Sequence, residues 1–153
     1  MTLEGVLAEH PFFSEFDARH MQLVVGCAAN VSFNAGEMII RQDRQANAFY
    51  LIRTGKVAVE IAVPGRGSFT IQTLGDGEMI GWSWLIPPYR WRFDARAVQT
   101  TRAIALDGKC LREKCETDHE MGYELIKRMI GVIGERLDST RVQLLDLYGD
   151  AIE

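Results

Sequence analysis

The sequence predicts one mainly β domain flanked by helices, on three observations. Between residues 29 and 106, short runs rich in β-branched and aromatic residues alternate with turn residues at near-regular spacing. Before residue 28 and after residue 107 the apolar spacing is helical. The length, 153 residues, is that of a single domain, and the chain holds no internal repeat or low-complexity tract. The expected organisation is N-terminal helices over 1–28, a β roll over 29–106, and a short helix followed by a long one over 107–153.

Leu3, Val6 and Leu7 lie at helical spacing and predict a first helix that stops at Pro11. Ser14 and Asp17 read as a capping-box-like start to a second helix, whose apolar face is Phe16, Met21, Leu23 and Val24 and whose end is near Gly26. About eight strands follow. Their turns are read at Asn34-Ala35-Gly36, Thr54-Gly55, Pro64-Gly65-Arg66-Gly67, Gly75-Asp76-Gly77 and Gln99-Thr100-Thr101. Lys56-Val57-Ala58-Val59-Glu60-Ile61 alternates as a strand with one buried face does. This pattern predicts an antiparallel sandwich or barrel.

Asp107 is placed to cap a short helix running through Cys115, and Thr117-Asp118-His119-Glu120 reads as a capping box opening a long helix to about Tyr148. At 1.5 Å per residue that helix is roughly 45 Å long. Ile126, Ile130, Ile133, Leu137, Thr140, Leu144 and Leu147 step by 4, 3, 4, 3, 4, 3. A strict seam of this kind fits a parallel partner helix, so a homodimer through residues 118–148 is expected. A core-facing amphipathic helix is the competing reading.

Hydrophobic residues make up 47% of the chain and charged residues 25%, with a net charge of −4. This is ordinary globular composition, without the clustered positive charge of a nucleic-acid surface. No run is apolar for the ~18 residues of a membrane span, and no N-terminal targeting segment is evident, so a cytoplasmic protein is expected. The odd count of cysteines, Cys27, Cys110 and Cys115, reads as reduced thiols packed as small apolar residues.

The order helix–helix, β roll, helix–long helix resembles the cyclic nucleotide-binding domain of the catabolite-activator (Crp/Fnr) family. The resemblance rests on "FNAGEMIIRQDRQANAFYLIRTGKVAVE" (33–60) and "LGDGEMIG" (74–81), whose Gly36-Glu37, Phe49-Tyr50-Leu51-Ile52, Gly55, Val57, Val59 and Gly77-Glu78-Met79-Ile80-Gly81 fall in family order. It implies a double-stranded β-helix, a jelly-roll-like β roll, followed by a long C-terminal dimerisation helix. It also implies a non-enzymatic bacterial regulator that senses a ligand, with a cyclic nucleotide as one candidate.

The family's phosphate-binding cassette then falls on residues 77–97, "GEMIGWSWLIPPYRWRFDARA". A Gly-Glu start, a short helix and an arginine suit a cyclic phosphate there, through helix-start N–H groups and a bidentate guanidinium. This chain departs from that pattern. Trp82 follows Gly81 where the family has Glu, and an indole N–H cannot accept a ribose hydroxyl proton. Ser83 is a weaker substitute. Arg90 and Arg92 straddle the arginine slot, which Trp91 itself fills when counted back from Ala97.

The expected ligand-binding set is therefore Gly81, Trp82, Ser83, Trp84, Arg90 and Arg92, with Thr140 on the long helix reaching the ligand as hydroxyls there do in the catabolite activator. Two readings stay open. The tryptophans stack on a ligand ring, or they fill a vacated pocket and leave a ligand-free interaction module. The arginines hold an anion, or they are solvated or paired with Asp94. Arg96 is expected on a strand, facing solvent or an acidic partner.

No metal or catalytic set is expected. His10, His20 and His119 fall in predicted helices, no histidine lies from 21 to 118, and a cupin-type site needs several ligands on facing strands. Family transcription factors continue past the long helix into a helix-turn-helix domain. Here the sequence ends in an acidic "LLDLYGDAIE", and no nucleic acid is expected to bind through this chain.

Overall fold

The structure, a computed structural model, describes residues 2–152, with side chains through residue 149. Its elements are α1 (Leu3–Glu9), a 3-10 turn (Pro11–Phe13), α2 (Ala18–Val25), β1 (Ala28–Phe33), β2 (Met38–Ile40), β3 (Ala48–Thr54), β4 (Lys56–Val63), β5 (Gly67–Gly75), β6 (Met79–Ile80), β7 (Asp94–Ala97), β8 (Thr101–Asp107), α3 (Gly108–Thr117) and α4 (His119–Ile152). Two four-stranded antiparallel sheets, ordered β1-β8-β3-β6 and β2-β7-β4-β5, form the mainly β core with flanking helices that the sequence predicts.

Between the sheets lie Leu51, Val57, Val59, Leu74, Ile80 and Ile104, all buried. Phe49 on β3 meets Phe12 of the 3-10 turn at 5.8 Å between ring centroids, and Trp84 stacks on Phe49 at 5.1 Å and 13°. The alternation expected of β4 holds for Val57 and Val59, but Ala58 and Glu60 are buried too. Arg96 on β7 is cross-strand from Ala58, and its guanidinium grips Glu60 with two bonds of 3.0 and 2.7 Å.

Three local readings are corrected. Asp17 alone caps α2, accepting from the Arg19 N–H, while Ser14 ends the 3-10 turn. α4 is opened by Asp118, whose carboxylate accepts from the Met121 N–H at 3.0 Å; Thr117 is the last residue of α3 and its hydroxyl bonds back to Glu113 and Lys114. Aspartate competes better than threonine for a cap, and it stands one residue nearer the helix. α4 also runs on through Gly149, since a glycine near a helix end costs less than one in its middle.

The expectation of three reduced thiols is overturned as well. Cys27 and Cys110 form a disulfide across 83 residues, and Cys115 is free. The pair meets because β1 and β8 are neighbours: the Asp107 N–H donates to the Cys27 carbonyl at 2.9 Å, and Asp107 caps α3 by accepting from the Cys110 N–H. Among the described residues, no helix is long and apolar enough to cross a membrane.

α4 docks by its first half. Met121, Leu125 and Met129 are buried, and Val132 is packed against the core. Polar straps fix its rotation. Glu124 accepts from the Asp17 N–H at 2.7 Å and pairs with His20 at 2.9 Å, and Arg128 donates to the Phe12 carbonyl at 2.9 Å. From residue 137 to 149 every described side chain is exposed. The core-facing reading describes the first half of the helix; along the seam, Ile130 and Leu147 are 61% and 66% exposed, while Ile133 is half-buried.

Two stability tests follow from this packing. Reducing the disulfide, or the double change Cys27→Ala/Cys110→Ala, lowers unfolding stability by roughly 2–4 kcal/mol, read from urea midpoints with and without thiol. His10 gives a pH test. It is buried, with Nδ1 accepting from the Phe12 N–H and Nε2 donating to the Ile52 carbonyl, so it is neutral in the fold. Burial holds its pKa below the ordinary 6.5, offset in part by the Ile52 carbonyl. The unfolded chain thus takes up a proton that the folded chain refuses. This contribution is complete above about pH 6.5 and is lost as pH falls below it, by at most ~1.4 kcal/mol per pH unit. His10→Asn removes that part of the slope between pH 7 and 5.

Candidate functional site

Residues 81–92 carry no regular helix. Two successive turns, closed by Leu85 N–H to the Trp82 carbonyl and Ile86 N–H to the Ser83 carbonyl, stand where the family's short helix is expected. The loop is laced to its surroundings by main-chain bonds. Ala46 N–H donates to the Tyr89 carbonyl, Trp91 N–H to the Arg44 carbonyl, and Asp43 N–H to the Trp91 carbonyl. Arg112 of α3 holds the middle of the loop, donating to the Trp84 carbonyl and stacking its guanidinium 4.2 Å from the Tyr89 ring centre.

Each tryptophan has its own setting. Trp84 is fully buried on Phe49, and its indole N–H is buried without a partner. Trp91 is 5% exposed and lies against Gly81, where an added Cβ would fall 2.4 Å from the ring. Trp82 is half-buried and faces a cavity, with the Arg136 guanidinium 5.7 Å from its ring centre. Ser83 is buried beside it in the chain. Arg90 and Arg92 are exposed. Arg90 donates to the Asp43 carbonyl at 2.9 Å, and neither arginine pairs with Asp94, which accepts instead from the Gln42 N–H at 2.7 Å.

The cavity, about 320 Å³, lies between the β roll and α4. Its floor is Val59, Leu74 and Ile80, and Trp82 and Phe93 wall it from the two ends of the loop. α4 closes it with Ile133, Arg136, Leu137 and Thr140. Of the expected binding set, Trp82 and Thr140 share this cavity; Gly81, Ser83, Trp84, Arg90 and Arg92 are not among its lining residues. The Thr140 hydroxyl donates to the Arg136 carbonyl at 2.9 Å, the ordinary back-bond of a helical threonine.

Arg136 is the residue that the sequence reading missed. It is partly buried, donates to the Met79 carbonyl, and among the described residues has no carboxylate within 4.0 Å. Burial lowers its pKa from the usual arginine range, opposed by the charges of Glu78 and Glu135. It also lines a second cavity of about 460 Å³, shared with Arg128, Glu78 and Glu135. A signal for it does exist in the sequence. Met121, Leu125, Met129, Val132 and Arg136 follow one helical stripe, so the arginine continues the core-facing row.

Residues 30–118 match the family model described as "Cyclic nucleotide-binding domain", over half of the chain. A Rhodopseudomonas palustris protein, named as a candidate potassium channel, is 25% identical over 147 residues, covering 96% of this chain and 34% of that protein. The cAMP-dependent protein kinase regulatory subunit of Schizosaccharomyces pombe is 34% identical over 76 residues, 50% of this chain and 18% of that protein. The chain thus spans about a third or less of the curated relatives it matches. A solved structure from Geobacter metallireducens, titled as a candidate cyclic nucleotide-binding protein, superposes with a TM-score of 0.80 at 24% identity, covering 90% of this chain and 99% of that one.

The close approach of Trp91 to Gly81 yields a test of the loop's anchor. Gly81 has φ +94° and no room for a Cβ, whereas Gly65 has φ +77° and open space around it. Gly81→Ala lowers stability by roughly 3 kcal/mol, and Gly65→Ala by about 1 kcal/mol, measured by urea unfolding.

Proposed function

The chain belongs to the cyclic nucleotide-binding domain family, and on that premise we propose that it is a non-enzymatic ligand sensor working as a homodimer. A small anionic ligand enters the cavity between the β roll, the 81–92 loop and α4, and α4 carries the change to a second copy. The reading includes a cytoplasmic location. The relatives named for a channel and a kinase subunit suggest a role as the regulatory part of a larger assembly.

One observation carries this proposal. Ile133, Leu137 and Thr140 are positions of the heptad seam and also residues of the cavity wall. A partner helix laid on the seam would lie across the mouth of the cavity. A ligand inside it would touch the residues that the partner touches. Binding and pairing would then be linked, each favouring the other by the same factor.

A second reading, the ligand-free interaction module, is favoured by the burial of Trp84 and Trp91 and by the outward position of Arg90 and Arg92. Both readings keep the dimer; only the first needs a ligand. Ultracentrifugation and calorimetry separate them. Leu137→Glu is expected to weaken the dimer roughly 100-fold, about 2.7 kcal/mol, because the seam would bury an unpaired carboxylate. Calorimetry with cyclic AMP, cyclic GMP and an apolar carboxylate is expected to give heat with at least one anion, weaker in Leu137→Glu. Silence with every anion favours the interaction module, and a wild-type monomer at millimolar concentration refutes the dimer.

A further inference from the structure

Resting on the sensor reading, we infer that the cavity takes a monoanion with an apolar body, an aliphatic or aromatic carboxylate, and that Arg136 holds its head. The walls set the body. Val59, Leu74, Ile80, Ile133 and Leu137 offer hydrocarbon, while Trp82 and Phe93 offer ring faces. The other polar side chains in the lining are Gln72 and Thr140, and the Thr140 hydroxyl is already donated to the Arg136 carbonyl.

A ribose and a purine bring many donors and acceptors, and each one buried without a partner weighs against binding. This lining offers them few partners: Arg136, Gln72, Thr140 and the Trp82 indole N–H. The volume, about 320 Å³, is at the small end of ligand cavities and holds an eight-carbon chain or one to two rings.

The head is set by charge. The Arg136 guanidinium has five N–H donors, of which one is given to the Met79 carbonyl. Glu78 and Glu135 act on it only through space, and both line the second cavity. A carboxylate entering from the apolar side would supply the missing bidentate partner among mostly apolar walls, where such a pair is stronger than in open water. The exposed Arg90 and Arg92 line no part of this cavity and are not needed for the head.

The test titrates the full chain with octanoate, 1-octanol and cyclic AMP, following calorimetry and the fluorescence of the tryptophans, one of which lines the cavity. Octanoate is expected to bind at least about tenfold tighter than 1-octanol. Arg136→Met should erase that preference while leaving 1-octanol unchanged. Arg92→Ala should leave octanoate unchanged, and Ile133→Trp, which fills the apolar part of the cavity, should weaken both.

Should Arg136→Met fail to fold, Arg136→Lys keeps the charge but loses the fork, and a several-fold loss of octanoate binding is expected. Equal binding of octanoate and 1-octanol overturns the role of Arg136. Cyclic AMP binding that is lost in Arg92→Ala, with no octanoate binding, overturns the inference and leaves the sensor reading intact. Silence with all three compounds overturns both.

Discussion

The fold is organised around where the core stripe of α4 ends. Met121, Leu125 and Met129 bury the first three turns, and Arg136 makes the last strap to the β roll. Beyond it, Leu137 and Thr140 still wall the cavity, and from residue 141 to 149 every described side chain is exposed. A continuous helix of 34 residues therefore has two halves with different environments. The first is held by apolar burial, which is strong and insensitive to salt. The second exposes Leu144, Leu145 and Leu147, side chains whose burial would each contribute about 1.5–3 kcal/mol. The cavity sits at the junction of the two halves, beside the strap from Arg136 to the Met79 carbonyl.

The loop at residues 81–92 solves a different problem. A long connection without helix or strand must bond its main chain to something, and here it bonds to residues 43–46 and to α3. Two of its tryptophans are spent on that anchoring: Trp84 stacks on Phe49, and Trp91 packs against the bare backbone of Gly81. With Trp91 turned inward, the flanking Arg90 and Arg92 face water. The adjacency of three tryptophans and two arginines in the sequence thus conceals two layers, an aromatic one inside and a cationic one outside.

This layering explains what was legible in the sequence. Strand positions were readable because β-branched runs and turn glycines are local signals, and local signals survive folding. The exposed seam was readable because a 4-3 repeat states its period within the helix itself. The Cys27–Cys110 pair was not, since it joins residues that only the pairing of β1 with β8 brings together. The cap of α4 was missed by one residue because Thr117 and Asp118 are both competent caps, and only the end of α3 decides between them. The cationic residue of the cavity was sought in the loop, where the family pattern directs attention, whereas the arginine in the cavity wall comes from α4.

The position of Arg136 also bounds how strongly a ligand can act. A ligand shifts an equilibrium only by its difference in affinity between two states. If it touched the β roll alone, it would stabilise the domain and leave α4 indifferent. The cavity wall, however, takes four of its side chains from α4: Ile133, Arg136, Leu137 and Thr140. Any occupant must therefore bind differently when that turn of the helix moves. The strap to the Met79 carbonyl is a single hydrogen bond from a charged donor, of the order of 1.5–3 kcal/mol. On the proposed reading, an entering carboxylate would pair with donors that the Met79 carbonyl leaves free, so one side chain would hold both ligand and strap. A core contact such as Met129 offers no such double contact, so on that reading a polar side chain at the junction can couple ligand and helix where an apolar one would only lock the helix down.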